Sequence, residues 1–194
     1  MPGRDPVKPA DPGVKLTYDD FVLFPDDGKR HELIDGEHYV TPSPNMRHQD
    51  VLSDLFGFIW VYLQAHPIGR VYLPRLDVVL SQFDVVEPDL LYISNETAAR
   101  VSTPQNVRGA PDLVAEIASP STRKRDATIK LQLYERSGVS EYWIVDPDKN
   151  VVRIYRREGG RFKPAIELRR DESNVLKTPL LPGYELSLTR LFRD

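Results

Sequence analysis

Apolar positions along this chain change period several times, and each change predicts an element. From Thr17 the run TYDDFVLF has helical spacing, with Thr17 as N-cap, Asp20 as its capping-box partner and Pro25 as the stop. RHELIDGEHYV then alternates with period two around Asp35-Gly36, a two-residue hairpin signal. That register pairs Ile34 with Glu37 and Glu32 with Tyr39, and it puts all four on one face. Helical period returns from His48 to His66, where Val51, Leu55, Phe58, Ile59, Tyr62 and Leu63 share a side and Pro67 ends the run. Strands are predicted over 71–73 and 76–80, broken by Pro74. The turn Gln82-Phe83-Asp84 leads into VVEPDLLYI, whose strand proper begins near Asp89 because Pro88 fits only a strand start or an edge.

Residues 94–110 are polar, with a short helix around 96–101. Residues 112–118 are apolar on both faces apart from Glu116, the pattern of a strand buried on both sides. Ser119-Pro120-Ser121-Thr122 turns into a helix over 125–136, capped by Ser121 or Thr122 and closed at Gly138. Asp126, Lys130 and Tyr134 recur at i, i+4 and i+8 along one side of it, while Ile129 and Leu133 supply the packing stripe. YWIVDP, DPDKN and VVRIYRR read as strand, turn and strand. A further strand is predicted over 161–168, and LLPGYELSLTRLF docks its leucines and phenylalanine on the core.

The chain of 194 residues has the length of one domain. Residues 1–14, rich in Pro, Gly and charge, are expected to be a disordered tail, leaving 15–194 as a single domain. The absence of cysteine excludes disulfides and thiolate metal sites. No apolar run reaches the length of a membrane span and no secretory segment opens the chain, so a cytoplasmic protein without a membrane partner is expected. The net charge of -3 is unevenly spread. Acids crowd the first fifty positions; Arg123, Lys124, Arg125, Arg153, Arg156, Arg157, Arg161, Lys163, Arg169 and Arg170 come later. This asymmetry is compatible with a surface that meets phosphate, and equally with a solvated charged face.

An ionised carboxylate inside an apolar strand is costly unless something compensates it. Asp89 and Glu116 each occupy such a strand and Lys130 follows on the helix, a set that suggests a shared divalent ion. Hard cations such as Mg2+ take carboxylate and water oxygens. Bound beside a phosphodiester, such an ion neutralises the charge that repels nucleophiles and acidifies a water, which a lysine can orient. His48, in the first turn of the long helix, reads as structural or solvent-facing.

HELIDGE, VVEPDLLYIS, APDLVAEIASPST, the Asp126–Lys130–Tyr134 helix and GVSEYWIVDP follow one another from about Thr17 to Phe192. In order and spacing they resemble the Uma2 family of the PD-(D/E)XK nuclease superfamily. The resemblance implies an α+β, restriction-endonuclease-like fold: a central mixed or antiparallel sheet flanked by helices, with an N-terminal β-hairpin. It implies an endonuclease dependent on Mg2+ or Mn2+ and acting on nucleic acid, DNA first, with Asp89 and Glu116 as metal ligands and Lys130 as the catalytic lysine. In the superfamily an acid-x-Lys triplet follows the Pro-Asp strand; here Glu116-Ile117-Ala118 carries Ala118 in the lysine position, and the Uma2 pattern places a replacement on the next helix, at Lys130. Glu32 and Glu37 match glutamates of the family's hairpin motif and could add a ligand or hold water. Ser119 could bond backbone or substrate, Asp126 could pair with Lys130, and Tyr134 could anchor its hydroxyl. A homodimer is expected by analogy with nucleases that cut duplexes as dimers. Two other readings stay open: a nucleic-acid-binding module that keeps the fold without turnover, favoured by Ala118 and the acidic balance, and a buried charge network without ligand.

Overall fold

The structure, a computed structural model, describes residues 13–193; of the tail expected over 1–14, residues 1–12 lie outside it. Thr17 caps α1 (Tyr18–Phe21) through a complete capping box with Asp20. β1 (Arg30–Ile34) and β2 (Glu37–Thr41) form the hairpin in the predicted register, Ile34 opposite Glu37 and Glu32 opposite Tyr39. Asp35 at φ 54° and Gly36 at φ 77° supply the positive φ that a tight turn of this hand requires at both central positions. Asn45 caps α2 (Met46–Ala65), which buries Val51, Leu55, Ile59 and Leu63 and stops before Pro67.

After α2 come β3 (Gly69–Tyr72), β4 (Val78–Ser81), β5 (Asp84–Val86), β6 (Leu90–Ser94), α3 (Asn95–Val101), β7 (Val107–Arg108) and β8 (Leu113–Ile117). Pro88 does more than open a strand. β5 ends before it, β6 begins after it, and the two lie in different sheets. A residue without an amide donor cannot continue a ladder, and the chain uses that break to cross over. The next segment is α4 (Arg123–Arg125), a π-helical turn (Asp126–Lys130) and α5 (Leu131–Ser137), closed by Gly138 at φ 94°. Then follow β9 (Glu141–Asp146), β10 (Val151–Glu158), β11 (Arg161–Phe162), β12 (Ile166–Arg169), β13 (Val175–Leu176), β14 (Leu186–Ser187) and α6 (Leu188–Leu191). The strand predicted over 161–168 is thus two short ones, β11 and β12, parted around Pro164 and both paired with β10.

Among the described residues the hairpin joins a five-stranded sheet ordered β2-β1-β5-β4-β7, and the main sheet runs β11-β10-β9-β8-β6-β3 with β12 beside β10. The main sheet is mixed: β8 and β9 are parallel and its other pairs antiparallel. One face, with Leu90, Tyr92, Leu113, Ala115, Ile117 and Trp143, packs on α2 and on the C-terminal Leu186, Leu188, Leu191 and Phe192. The other face, with Leu91, Ile93, Val114, Tyr142 and Ile144, packs on Leu133 and Tyr134 of α5. No described helix is long and apolar enough to cross a membrane.

Register positions the acids. β6 and β8 are antiparallel with Leu90 opposite Ala115 and Leu91 opposite Val114. One step further sets Asp89 opposite Glu116, and opposed residues of an antiparallel pair point to one face. That face is the one covered by α5.

Candidate active site

Lys130 is fully buried, and its Nζ donates to Oε1 of Glu116 and to Oε1 of Glu32, both at 2.8 Å. Tyr134 donates its hydroxyl to the same Glu116 oxygen at 2.7 Å. The π-helical turn makes this convergence possible. With 3.6 residues per turn, i+4 overshoots a full α-turn by ~40° each time, so three residues at that spacing drift around the helix. A wider turn absorbs the drift and keeps Asp126, Lys130 and Tyr134 over the sheet. One ammonium between two carboxylates leaves one acid undercompensated. Burial opposes ionisation of Glu32, but Lys130 and Arg125 outweigh it and hold its pKa below the ordinary value. Burial wins at Glu116, helped by Asp89, Asp126 and Glu32, and pushes it up to about 7 against the pull of Lys130. Both hydrogen bonds described for Glu116 fall on its Oε1. Tyr134→Phe removes one of two donors to a buried acid and is expected to lower stability by about 1.5 kcal/mol in urea unfolding. An unchanged urea midpoint would show that the phenol does not serve Glu116.

Asp89 is 3% exposed and engaged on both oxygens. Oδ1 accepts from Arg30 Nη1 at 2.8 Å; Oδ2 accepts from the Ile117 amide at 2.8 Å and faces His48 Nε2 at 3.2 Å. Burial would raise its pKa, yet His48 and Arg30 prevail and hold it well below the usual carboxylate range. His48 Nδ1 is enclosed without a partner, so placing the ring proton on Nε2, toward Asp89, leaves no orphan N–H. Asp126 is almost fully buried, its Oδ1 unpaired, and burial raises its pKa. Arg125 donates to Thr41 Oγ1 at 2.8 Å and lies 3.5 Å from Glu32 Oε2.

Asp89, Glu116, Lys130, Asp126, His48 and Arg125 line a cleft of about 220 Å3 between residues 41–45 and 119–122, whereas Glu32 and Tyr134 reach it only through Lys130 and Glu116. Ser119 is part of that rim, its hydroxyl 3.0 Å from Ser121 Oγ and 3.1 Å from Thr122 Oγ1. The structure therefore gathers Asp89, Glu116, Lys130, Glu32, Asp126, Tyr134 and Ser119. Glu37 is left out: at the turn end of β2 it is exposed and accepts from Tyr39 at 2.7 Å.

A model of the family described as "Uma2: Putative restriction endonuclease" matches residues 18–189. The chain belongs to the Uma2 family. This Uma2 chain also superposes on the crystal structure of a protein from Anabaena variabilis described as a putative nuclease belonging to DUF820. The TM-score is 0.77 over 91% of this chain and 97% of that one, at 21% identity. The likeness bears out the α+β fold expected from the motifs. No curated protein gives a significant match to the chain.

Two residues of the Uma2 cleft were misjudged or passed over in the sequence. His48 is not solvent-facing; it is buried against Asp89. Arg30 drew no attention, although period two from Glu32 puts both on the same hairpin face. The late run of basic residues, in contrast, is largely committed elsewhere. Arg153 pairs with Glu167, Arg156 with Glu141, Lys163 with Glu158 and Arg123 with Asp146 and Asp148. Arg157 donates to the carbonyls of Glu135 and Gly160. Of that group, Arg125 is the one that lines the cleft.

Proposed function

We propose that this cleft hydrolyses phosphodiester bonds of nucleic acid, DNA first, with a divalent cation, Mg2+ or Mn2+. The observation that carries the reading is the convergence of Asp89, Glu116 and Lys130, from neighbouring strands and the succeeding helix, in a chain of the Uma2 family. The donors suit a hard ion: both hydrogen bonds described for Glu116 fall on Oε1, and Asp126 Oδ1 is a buried carboxylate oxygen without a hydrogen-bond partner. Among the described residues no three acids, imidazoles or thiolates form a ready-made cage, so an ion here would be held by one or two carboxylates and waters. Asp89 and Glu116 would hold it; when bound, it supplies charge neutralisation and a more acidic water.

The protein's own groups do the rest. An ammonium carries three donors, and Lys130 spends two on Glu32 and Glu116, leaving one for a water or a phosphate oxygen. Glu116 and Glu32 keep Lys130 charged: burial disfavours the ammonium, but the two carboxyl groups raise its pKa above the ordinary value. Arg125, at the cleft wall, presents a guanidinium to a phosphate. His48 fixes the orientation of Asp89.

Titration calorimetry with Mn2+ tests the ligands. The wild type is expected to bind, and Asp89→Asn and Glu116→Gln to lose binding; wild-type affinity in both variants would remove the metal assignment. Nicking of supercoiled plasmid in Mg2+ tests turnover. A second reading, a module that binds nucleic acid without cutting it, draws on Ala118 and on the engagement of Asp89 by Arg30. It predicts plasmid binding with no nicking in either metal.

A further inference from the structure

Of the partners of Asp89, Arg30 is the one a divalent ion must contend with, because two cations on one carboxylate repel each other. Arg30 stands between two cavities. On one side lies the cleft described above. On the other lies a cavity of about 250 Å3, lined by Arg30, His48, Asp89, Arg75 and Glu87. Glu87 is 7% exposed, and its Oε2 is sealed from solvent with no hydrogen-bond partner. A buried acid in that condition calls for an explanation. Arg75 does not supply its partner: it donates to the Gly28 carbonyl at 2.7 Å and is more than half exposed. Arg30, however, is already tied to this residue, since the Nη1 that serves Asp89 also donates to the Glu87 backbone carbonyl at 2.9 Å.

We propose that Arg30 has two carboxylate seats, Asp89 in the structure described here and Glu87 when a divalent cation binds Asp89. The inference rests on the metal reading of the cleft. A guanidinium presents five donors in one plane, so turning the side chain exchanges acceptors without moving β1. The second seat keeps a largely buried cation in ion-pair contact through the exchange; without it, metal binding leaves Arg30 with the Glu87 carbonyl and only the longer-range pull of Glu116 and Glu32. Glu87 is thereby a positioning residue that acts on the metal site through Arg30.

The test is a double-mutant cycle read by Mn2+ calorimetry on the full chain: wild type, Glu87→Gln, Arg30→Met and the pair. Glu87→Gln is expected to weaken Mn2+ binding about tenfold, Arg30→Met to strengthen it about tenfold, and Glu87→Gln to have no effect once Arg30 is gone. An equal loss from Glu87→Gln in both backgrounds, or no loss in either, overturns the proposal and leaves the metal assignment standing. Absence of Mn2+ binding in all four proteins removes the metal assignment itself. Should Arg30→Met fail to fold, the arginine Nε–H signals of the wild type give a second reading during Mg2+ titration. The Arg30 signal, identified by its loss in Arg30→Lys, is expected to shift as the ion binds; a signal unmoved at saturation overturns the two-seat arrangement.

Discussion

Lys130→Met is expected to lower the unfolding free energy by about 3–5 kcal/mol and to abolish plasmid nicking. The substituent fills much of the same space, so the loss is electrostatic. Glu32 and Glu116 both accept from Lys130 at 2.8 Å, and neither reaches bulk water freely. Removing the ammonium leaves two buried acids facing each other with Arg125 and Tyr134 as weak compensation. Adding Glu32→Gln to the same protein should return part of the stability, because one of the stranded charges disappears, and none of the nicking. Urea unfolding of the wild type and the two variants separates the effects. A cost below about 1 kcal/mol for Lys130→Met would show that neither Glu32 nor Glu116 depends on the ammonium for its compensation.

Mn2+ affinity should fall about tenfold per pH unit below pH 7 and level off above it. The sign follows from Glu116. Burial, with Asp89, Asp126 and Glu32 adding to it, raises its pKa from 4.5 to about 7. Below that pH the carboxyl holds a proton that a cation must displace, so one proton is released per ion bound. Above it the carboxylate is ready. Asp89 and Glu32 are held below their ordinary values and do not titrate in this window, but burial pushes Glu87 up to about 7 as well, so the count is made in Glu87→Gln beside the wild type. Calorimetry in two buffers of different ionisation enthalpy, at about pH 6 and about pH 8, counts the protons directly. Release that persists at the higher pH would move the titrating group away from Glu116.

Much of the architecture was legible because it is written in short-range chemistry. The Asp35-Gly36 turn and period-two alternation were enough for the hairpin and its register, as helical spacing and Pro67 were for α2. An apolar run interrupted by one acid marked the strand that carries Glu116. Pro88 was legible as a boundary but not as the point where the chain leaves one sheet for another, since a proline says that a ladder stops and nothing about where the next one pairs. The π-helical turn was invisible too. Residues at i, i+4 and i+8 read as a single stripe on any helix, and the widened turn that truly aligns them has no composition of its own.

The sequence by itself determined the family, the longer strands and helices, and the three side chains on which the proposed chemistry rests. Tertiary structure alone decided how each of those charges is compensated. Asp89 meets His48 across 41 positions and Arg30 across 59, and Lys130 meets Glu32 across 98. Coulomb energy and hydrogen bonds depend on distance in space and on the exclusion of water, neither of which scales with distance along the chain. Hence the same acid could be read in sequence as a metal ligand, and only folding could show which cation stands beside it.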